Sequence, residues 1–240
     1  MQRIFVILES IAYNDVHTID EISSVTKIPR SSVHRILQSL VQENLITQVP
    51  PKGYVLTAKL VSIGINGIGQ KNIVEVAVPI MKELSQKTHE TVSLQVINGA
   101  ERVCLCRFEG DYPITRHIKP GDKGVLFRGA AGKIIAAGLR SVELETILDK
   151  YIEDGIILGD KKSALLTEIQ QIREAGFAIS TGERVPGSGS IGVPIKDILN
   201  NTQASLSIST VLDRMTEENI QTYLKLLINS SAQIQSQVIW

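Results

Sequence analysis

The chain has 240 residues, of which 43% are hydrophobic, enough to bury the core of one or two globular domains. Its 25 Lys and Arg balance 25 Asp and Glu, so the formal net charge is zero and no overall basic field draws it onto nucleic acid indiscriminately. Two cysteines exclude a disulfide-rich scaffold, no apolar run approaches the ~18 residues of a membrane span, and the apolar start is short and broken by Glu9, so a cytoplasmic protein without a signal peptide or membrane contact is expected.

In chain order, Ile4, Ile7, Leu8 and Ile11 mark the buried face of a first helix with no arm before it. Thr18-Ile-Asp-Glu21 reads as a capping box, in which the Thr hydroxyl and Glu carboxylate satisfy backbone N–H groups left over in the first helical turn. The spacing predicts a short helix burying Ile19, Ile22 and Val25. Residues 26–29 interrupt the pattern, and Pro29 suits the start of the next helix because its missing donor is not needed there. In that helix Val33, Ile36, Leu37 and Leu40 recur at i, i+3, i+4 and i+7, which turns Arg30, Ser31, Ser32, His34, Arg35 and Gln38 toward solvent. Strand patterns at 45–49 and 54–56 flank a Pro50-Pro51-Lys52-Gly53 turn, giving a hairpin with a basic tip. A positioning helix, an exposed polar helix and a hairpin make a winged helix-turn-helix. Such a helix fills the DNA major groove, where Arg reads guanine and hydroxyls reach phosphates or base edges; Lys52 in the wing suits a phosphate. Residues 1–60 carry six basic side chains (Arg3, Lys27, Arg30, Arg35, Lys52, Lys59) against five acidic ones (Glu9, Asp15, Asp20, Glu21, Glu43), a surplus of one. One head therefore binds DNA weakly, and duplication by dimerisation strengthens it.

Residues 57–90 are mostly helical in pattern, with Gly64, Gly67 and Gly69 weakening a continuous helix and predicting a jointed connector. Strands at 91–98 and 102–108 surround the Asn98-Gly99 turn. Helices follow at 130–139, 141–152 and 163–175, the last stopped by Gly176. Strands at 190–195 and 204–210 precede a closing helix that starts near Thr216. The fold class is α+β with a mainly antiparallel sheet, divided into a winged helix-turn-helix at 1–58, a connector at 59–75 and a second domain at 76–240. Ser205, Ser207 and Ser209 share one face of their strand, either solvated or lining a site.

Several motifs carry no chemistry. Gly187-Ser-Gly-Ser-Ile-Gly192 spells a dinucleotide-binding pattern, but Pro194 argues against the helix that pattern must open. Gly129-Ala-Ala-Gly-Lys133 lacks the spacing and the following hydroxyl of a phosphate loop and reads as a helix start. Cys104 and Cys106, two apart in a strand, are expected to share a face without forming a disulfide, and with His89 and His117 they lack the spacing of a zinc site. No catalytic constellation, metal or cofactor is expected.

The run Ile28-Pro-Arg-Ser-Ser-Val-His-Arg-Ile-Leu-Gln-Ser-Leu40, the hairpin after it and Leu56-Thr-Ala-Lys-Leu-Val-Ser-Ile-Gly64 resemble the head of the IclR family of transcriptional regulators. The resemblance continues through Gly121-Asp122, Gly129-Ala-Ala-Gly-Lys133 with Ala136-Ala137, Gly176-Phe-Ala, Glu183, Pro186-Gly187 and Val193-Pro194, so it covers nearly the whole chain. It implies a GAF-like effector-binding domain behind the winged head, a double-stranded DNA operator as partner, assembly as a homodimer or homotetramer, and no enzymatic activity. By the same resemblance Gly129, Ala130, Ser190, Ser207 and Ser209 line the effector cavity, where hydroxyls and helix-start N–H groups suit a small organic acid. Many relatives carry His at the place of Phe127, Ser or Thr at Gly129 and Cys at Ser190, departures that leave the acid unidentified. The competing reading is a small-molecule enzyme or metabolite-binding protein whose helical head serves assembly.

Overall fold

The computed structural model describes residues 2–14, 16–67, 73–111 and 119–238. The chain forms two compact units, Met1–Gln70 and Lys71–Trp240.

The first unit runs α1 (Gln2–Tyr13), α2 (Ile19–Thr26), α3 (Arg30–Gln42), β1 (Ile46–Val49), β2 (Gly53–Leu56) and α4 (Ala58–Gly67). Thr18 caps α2 as the sequence predicts. Its Oγ1 accepts the Glu21 N–H at 3.3 Å, and Glu21 Oε2 accepts the N–H groups of Thr18 and His17 at 2.9 and 3.0 Å. These backbone donors, His17 first, hold the Glu21 carboxyl below its ordinary range. A core of Ile7, Ile11, Ile22, Ile28, Val33, Leu37, Leu40 and Ile46 ties the three helices to the hairpin. Val25 is not part of it: α2 ends one residue later, the side chain stays 47% exposed, and Ile28 in the following turn takes the core place instead. Gly53 sets the wing. Its φ of +102° suits glycine, and a Cβ there would lie 2.4 Å from the His17 carbonyl oxygen. That close approach lets the Tyr54 N–H donate to the same oxygen at 2.8 Å, tying β2 to the loop before α2. Gly64 and Gly67 fall within α4, whereas Gly69 lies outside the described residues, as does His117.

The second unit runs α5 (Ile73–Thr88), β3 (Thr91–Asn98), β4 (Glu101–Phe108), β5 (Lys123–Val125), α6 (Ala130–Gly138), α7 (Ser141–Glu153), α8 (Lys162–Ala175), β6 (Ala178–Thr181), β7 (Ser188–Lys196), β8 (Thr202–Val211) and α9 (Glu217–Gln237). The strands form one antiparallel sheet in the order β5-β4-β3-β8-β7-β6. Sequence periodicity misses β5 and β6, which are three and four residues long and too short for alternation to register.

Alternation along the long strands sends Val92, Leu94, Ile191, Val193, Ile195, Leu206 and Ile208 into a core with Met81 and Leu84 of α5 and Leu227 and Ile234 of α9. The opposite face lies under α6, which is buried all round and packs on β7, β8 and α8. Both faces are therefore covered, and the alternate serines of β8 are enclosed: Ser205 and Ser207 are 0% and 1% exposed. A bulge breaks the phase of β4. Leu94 pairs with Cys106 and Gln95 with Cys104, which leaves Leu105 as the extra residue. The two cysteines consequently sit on opposite faces, not on the shared face that strict alternation predicts. Cys106 joins the α5 core and Cys104 lies beside Gln95, both as free thiols.

Candidate functional site

The exposed face of α3 carries Ser31, His34, Arg35 and Gln38 at the three- and four-residue spacing that keeps side chains on one side of a helix. Ser32 is half-buried, and His34 Nε2 lies 3.3 Å from Gln38 Nε2. Arg30 projects at the start of α3, with its Nε 2.8 Å from Asp20 Oδ1 of α2. Arg35 is exposed, and among the described residues no carboxylate lies within ion-pair distance of it. Lys52 stands exposed at the tip of the wing, which the Gly53 contact orients.

In the second unit, the sheet register puts four hydroxyls in one row across adjacent strands: Thr91 pairs with Ser209, Ser209 with Ser190, and Ser190 with Ser180. Strand spacing of roughly 4.8 Å makes that row a continuous polar floor. All four line a cavity of about 50 Å³, closed from the other side by Gly129 and the loop holding Glu183 and Arg184. Ser207 lies two residues along β8 from Ser209, on the same face. Its Oγ is 3.0 Å from Ser93 Oγ, Gln95 Nε2 donates to Ser93 Oγ at 2.9 Å, and Arg102 Nη1 donates to Gln95 Oε1. Ser207 also lines a smaller recess with Arg102, Ala130 and Arg184, which shares Gly129, Ser190 and Ser209 with the main cavity.

Gly129, Ala130, Ser190, Ser207 and Ser209 are thus brought together from a helix start and two strands. The N–H groups at the start of α6 are already engaged, however: Gly129 donates to Glu183 Oε2 at 2.9 Å and Ala130 to Ser190 Oγ at 3.2 Å. Glu183 occupies the anion position that the helix N-terminus favours. Behind it Lys133, only 3% exposed, bridges Glu183 and Glu168 at 2.5 Å each. The cavity donors that sequence reasoning missed are guanidiniums. Arg102 is 3% exposed, and Arg107 lines the cavity with Nη2 2.9 Å from Glu109 Oε1. Burial, together with the charge of Arg184, lowers the Arg102 guanidinium to about 10, so it remains charged at neutral pH. Strict alternation with the buried Cys104 was the available signal for Arg102, since it puts both side chains on one face.

Among the described residues no group of three or more His, Cys, Asp or Glu gathers as metal ligands, and no helix is long and apolar enough to cross a membrane. The Gly187-Ser-Gly-Ser-Ile-Gly192 run enters β7 and is followed by more strand, so it opens no phosphate-binding helix.

Known proteins share both units. Residues 66–236 match the family described as "Bacterial transcriptional regulator IclR C-terminal", and residues 1–50 match "IclR helix-turn-helix domain". The chain is 27% identical over 239 residues to the HTH-type transcriptional regulator KdgR of Escherichia coli (strain K12), covering 98% of this chain and 91% of that protein. The crystal structure of Thermotoga maritima IclR superposes with a TM-score of 0.72 at 27% identity, covering 98% of this chain and 97% of that one. The same fold recurs at 19% identity, with a TM-score of 0.84 over 98% of this chain and 96% of the other, in an IclR homolog from Microbacterium hydrocarbonoxydans crystallised as a complex with 4-hydroxybenzoate. With a helix-turn-helix and wing in one unit, a hydroxyl-lined cavity in the other and both domain matches in sequence order, the chain belongs to the IclR family of bacterial transcriptional regulators.

Proposed function

We propose that this regulator binds an operator in double-stranded DNA through α3 and the wing, and that a small organic acid bound in the second unit modulates that binding. Arg30, Ser31, Ser32, His34, Arg35 and Gln38 face the major groove and Lys52 a phosphate, a reading supported by the exposure of all but the half-buried Ser32 on the helix and of Lys52 on the wing tip. The observation that carries the effector half is the enclosed row Thr91, Ser209, Ser190 and Ser180 beside buried guanidiniums, a surface of donors that attracts an anion. Gly129, Ala130 and Ser207 complete its wall. The 4-hydroxybenzoate held by the Microbacterium homolog is itself a carboxylate, in keeping with that chemistry.

Residues 1–58 act as the head, 59–75 as the connector and 76–240 as the effector domain. Two heads of a homodimer, or four of a tetramer, raise the affinity that a single head with one surplus charge lacks. The acid acts only through a difference in its interaction with alternative arrangements of the heads. Operator binding places the protein in the cytoplasm.

Recovery of bound genomic DNA supplies the operator, and titration of that duplex by fluorescence anisotropy, with and without small organic acids, tests both halves. Salt-dependent, sequence-selective binding that shifts with an acid is expected. Lys52→Gln weakens binding to all sequences and reduces the slope of log K against log salt by about 1. Binding equally tight to unrelated duplexes overturns the operator half, and indifference of operator binding to every acid overturns the effector half.

A further inference from the structure

A second hollow in the same unit stands apart from the hydroxyl-lined cavity. It measures about 330 Å³ against about 50 Å³, and the two have no lining residue in common; the side recess shares Arg128 with it. That volume falls within the roughly 300 to 1,000 Å³ of pockets that hold small organic molecules. Phe127 and Ile157, 2% and 8% exposed, line it together with Leu165 of α8. The Phe127 ring stands edge-on to Tyr151 with centroids 5.8 Å apart, a contact that fixes its place. Ile156 and Leu158, 37% and 67% exposed, also line the hollow, so part of its apolar surface is left in water. An apolar body in the hollow takes that surface out of water.

The charged side chains that line it are two cations and one carboxylate, Arg128, Lys161 and Glu168. Glu168 is already engaged, with Oε1 2.5 Å from Lys133 Nζ. The two cations are not. Both are exposed, and among the described residues no carboxylate lies within ion-pair distance of either. Arg128 is nonetheless held, because Nη2 donates to the Ile156 carbonyl oxygen at 2.9 Å. That bond uses one N–H of a guanidinium fork, and the rest of the fork has no partner among the described residues, which leaves it open to an anion. A carboxylate therefore has a seat on the cations and none against Phe127, Ile157 or Leu165, where burial without a donor is costly. An acid with a single carboxylate and an otherwise apolar body matches both surfaces, and an aromatic ring gains from Phe127 beyond the area it buries.

We propose that this hollow is a second ligand site, which takes an aromatic monocarboxylic acid: the carboxylate meets Arg128 and Lys161, and the ring lies against Phe127, Ile157 and Leu165. The site stands whether or not the hydroxyl-lined cavity holds an effector.

The test is calorimetric titration of the full chain, at fixed ionic strength, with phenylacetate and with phenylacetamide, its neutral counterpart of the same shape. The acid is expected to bind about fivefold or more tighter than the amide, the scale of a hydrogen bond to a charged group in partial contact with solvent. Arg128→Gln combined with Lys161→Gln brings the two affinities within about twofold and leaves that of the amide in place. Ala164→Trp, at an exposed position of α8 that lines the hollow, fills the space and abolishes binding of both. Thermal unfolding checks that these surface variants fold. Ser209→Ala leaves acid binding unchanged, because Ser209 lines the other cavity. Equal affinity for acid and amide, or undiminished acid binding in folded Ala164→Trp, overturns the proposal. Acid binding that survives in Ala164→Trp and is lost in Ser209→Ala puts the acid in the hydroxyl-lined cavity, which overturns the second site and supports the effector reading. Absence of binding at every protein concentration, as when a second copy of the chain covers the hollow, overturns the second site and leaves the effector reading standing.

Discussion

Asp20 on α2 holds Arg30 on α3, with Oδ1 2.8 Å from Nε and the two side chains 64% and 70% exposed. A pair this exposed is worth at most about 1 kcal/mol, so it does not lock Arg30. It does place a carboxylate beside the helix proposed to read DNA. Asp20→Asn is therefore expected to tighten operator binding several-fold at low salt, with the gain shrinking as salt screens it. Arg35 faces no such competitor, and Arg35→Ala should cost about 1 to 3 kcal/mol at the base it reads, more than Arg30→Ala. Anisotropy titrations of the three variants decide the ranking. Unchanged affinity in both arginine variants, with thermal unfolding intact, would remove α3 from the reading role.

The head was largely legible because its signals are local. The Thr18 and Glu21 capping box, the i, i+3, i+4, i+7 series in α3 and the Gly53 turn each specify structure within a few residues, and each is found in the folded chain. Val25 escaped because helical spacing alone does not say where α2 stops. In the second unit, the positions Gly129, Ala130, Ser190, Ser207 and Ser209 came from family resemblance. Their convergence depends on antiparallel register between β7 and β8 and on α6 lying across them, neither of which is encoded locally. The arginines were missed for the same reason. Arg102 and Arg184 are 82 positions apart in the numbering and meet only through that packing.

Lys133 offers a test of how the cavity wall is held. It is the one buried cation joining α6 to both α8 and the Glu183 loop, among the described residues. Lys133→Met keeps most of the apolar stem but leaves two carboxylates facing each other, one of them on the α6 N-terminus. Breaking a fully buried pair costs about 3 to 5 kcal/mol, and the partial exposure of Glu168 and Glu183 reduces this to about 2 to 3 kcal/mol. Urea unfolding measures it. A loss below about 0.5 kcal/mol, the range of ordinary surface substitutions, would mean that Lys133 does not fasten the wall.

The two thiols report the sheet covering. Burial pushes Cys104 from 9.0 to about 11 and Cys106 to about 12. The folded chain therefore holds these protons more tightly than the unfolded chain does. The stability they contribute is complete below about pH 9 and is lost as pH rises through 11 to 12. At pH 8 each thiolate is depleted roughly a hundredfold or more, so iodoacetamide should label native protein at least that much more slowly than protein in denaturant. Fast labelling of either cysteine in the native state, followed by peptide mass spectrometry, would show that its face of the sheet opens.

Ser207 and Ser209 lie two residues apart on the same face of β8, yet the structure gives them different work. Ser207 is 1% exposed and tied to Ser93 in the buried chain that ends at Arg102. Ser209 is half-buried in the hydroxyl row, and among the described residues its side chain makes no hydrogen bond. Ser207→Ala removes one partner of a buried pair and should destabilise the fold by about 1 kcal/mol, with a smaller effect on the acid response. Ser209→Ala leaves no orphaned protein group behind, so its unfolding free energy should stay within about 0.5 kcal/mol of wild type. It removes a donor aimed at the proposed carboxylate, however, and the acid concentration needed for half the change in operator binding should rise about fivefold or more, the scale of one hydrogen bond to a charged group. Paired urea melts and anisotropy titrations separate the two. Ser209→Ala with normal acid response, or Ser207→Ala with normal stability, would show that β8 does not divide its serines in this way.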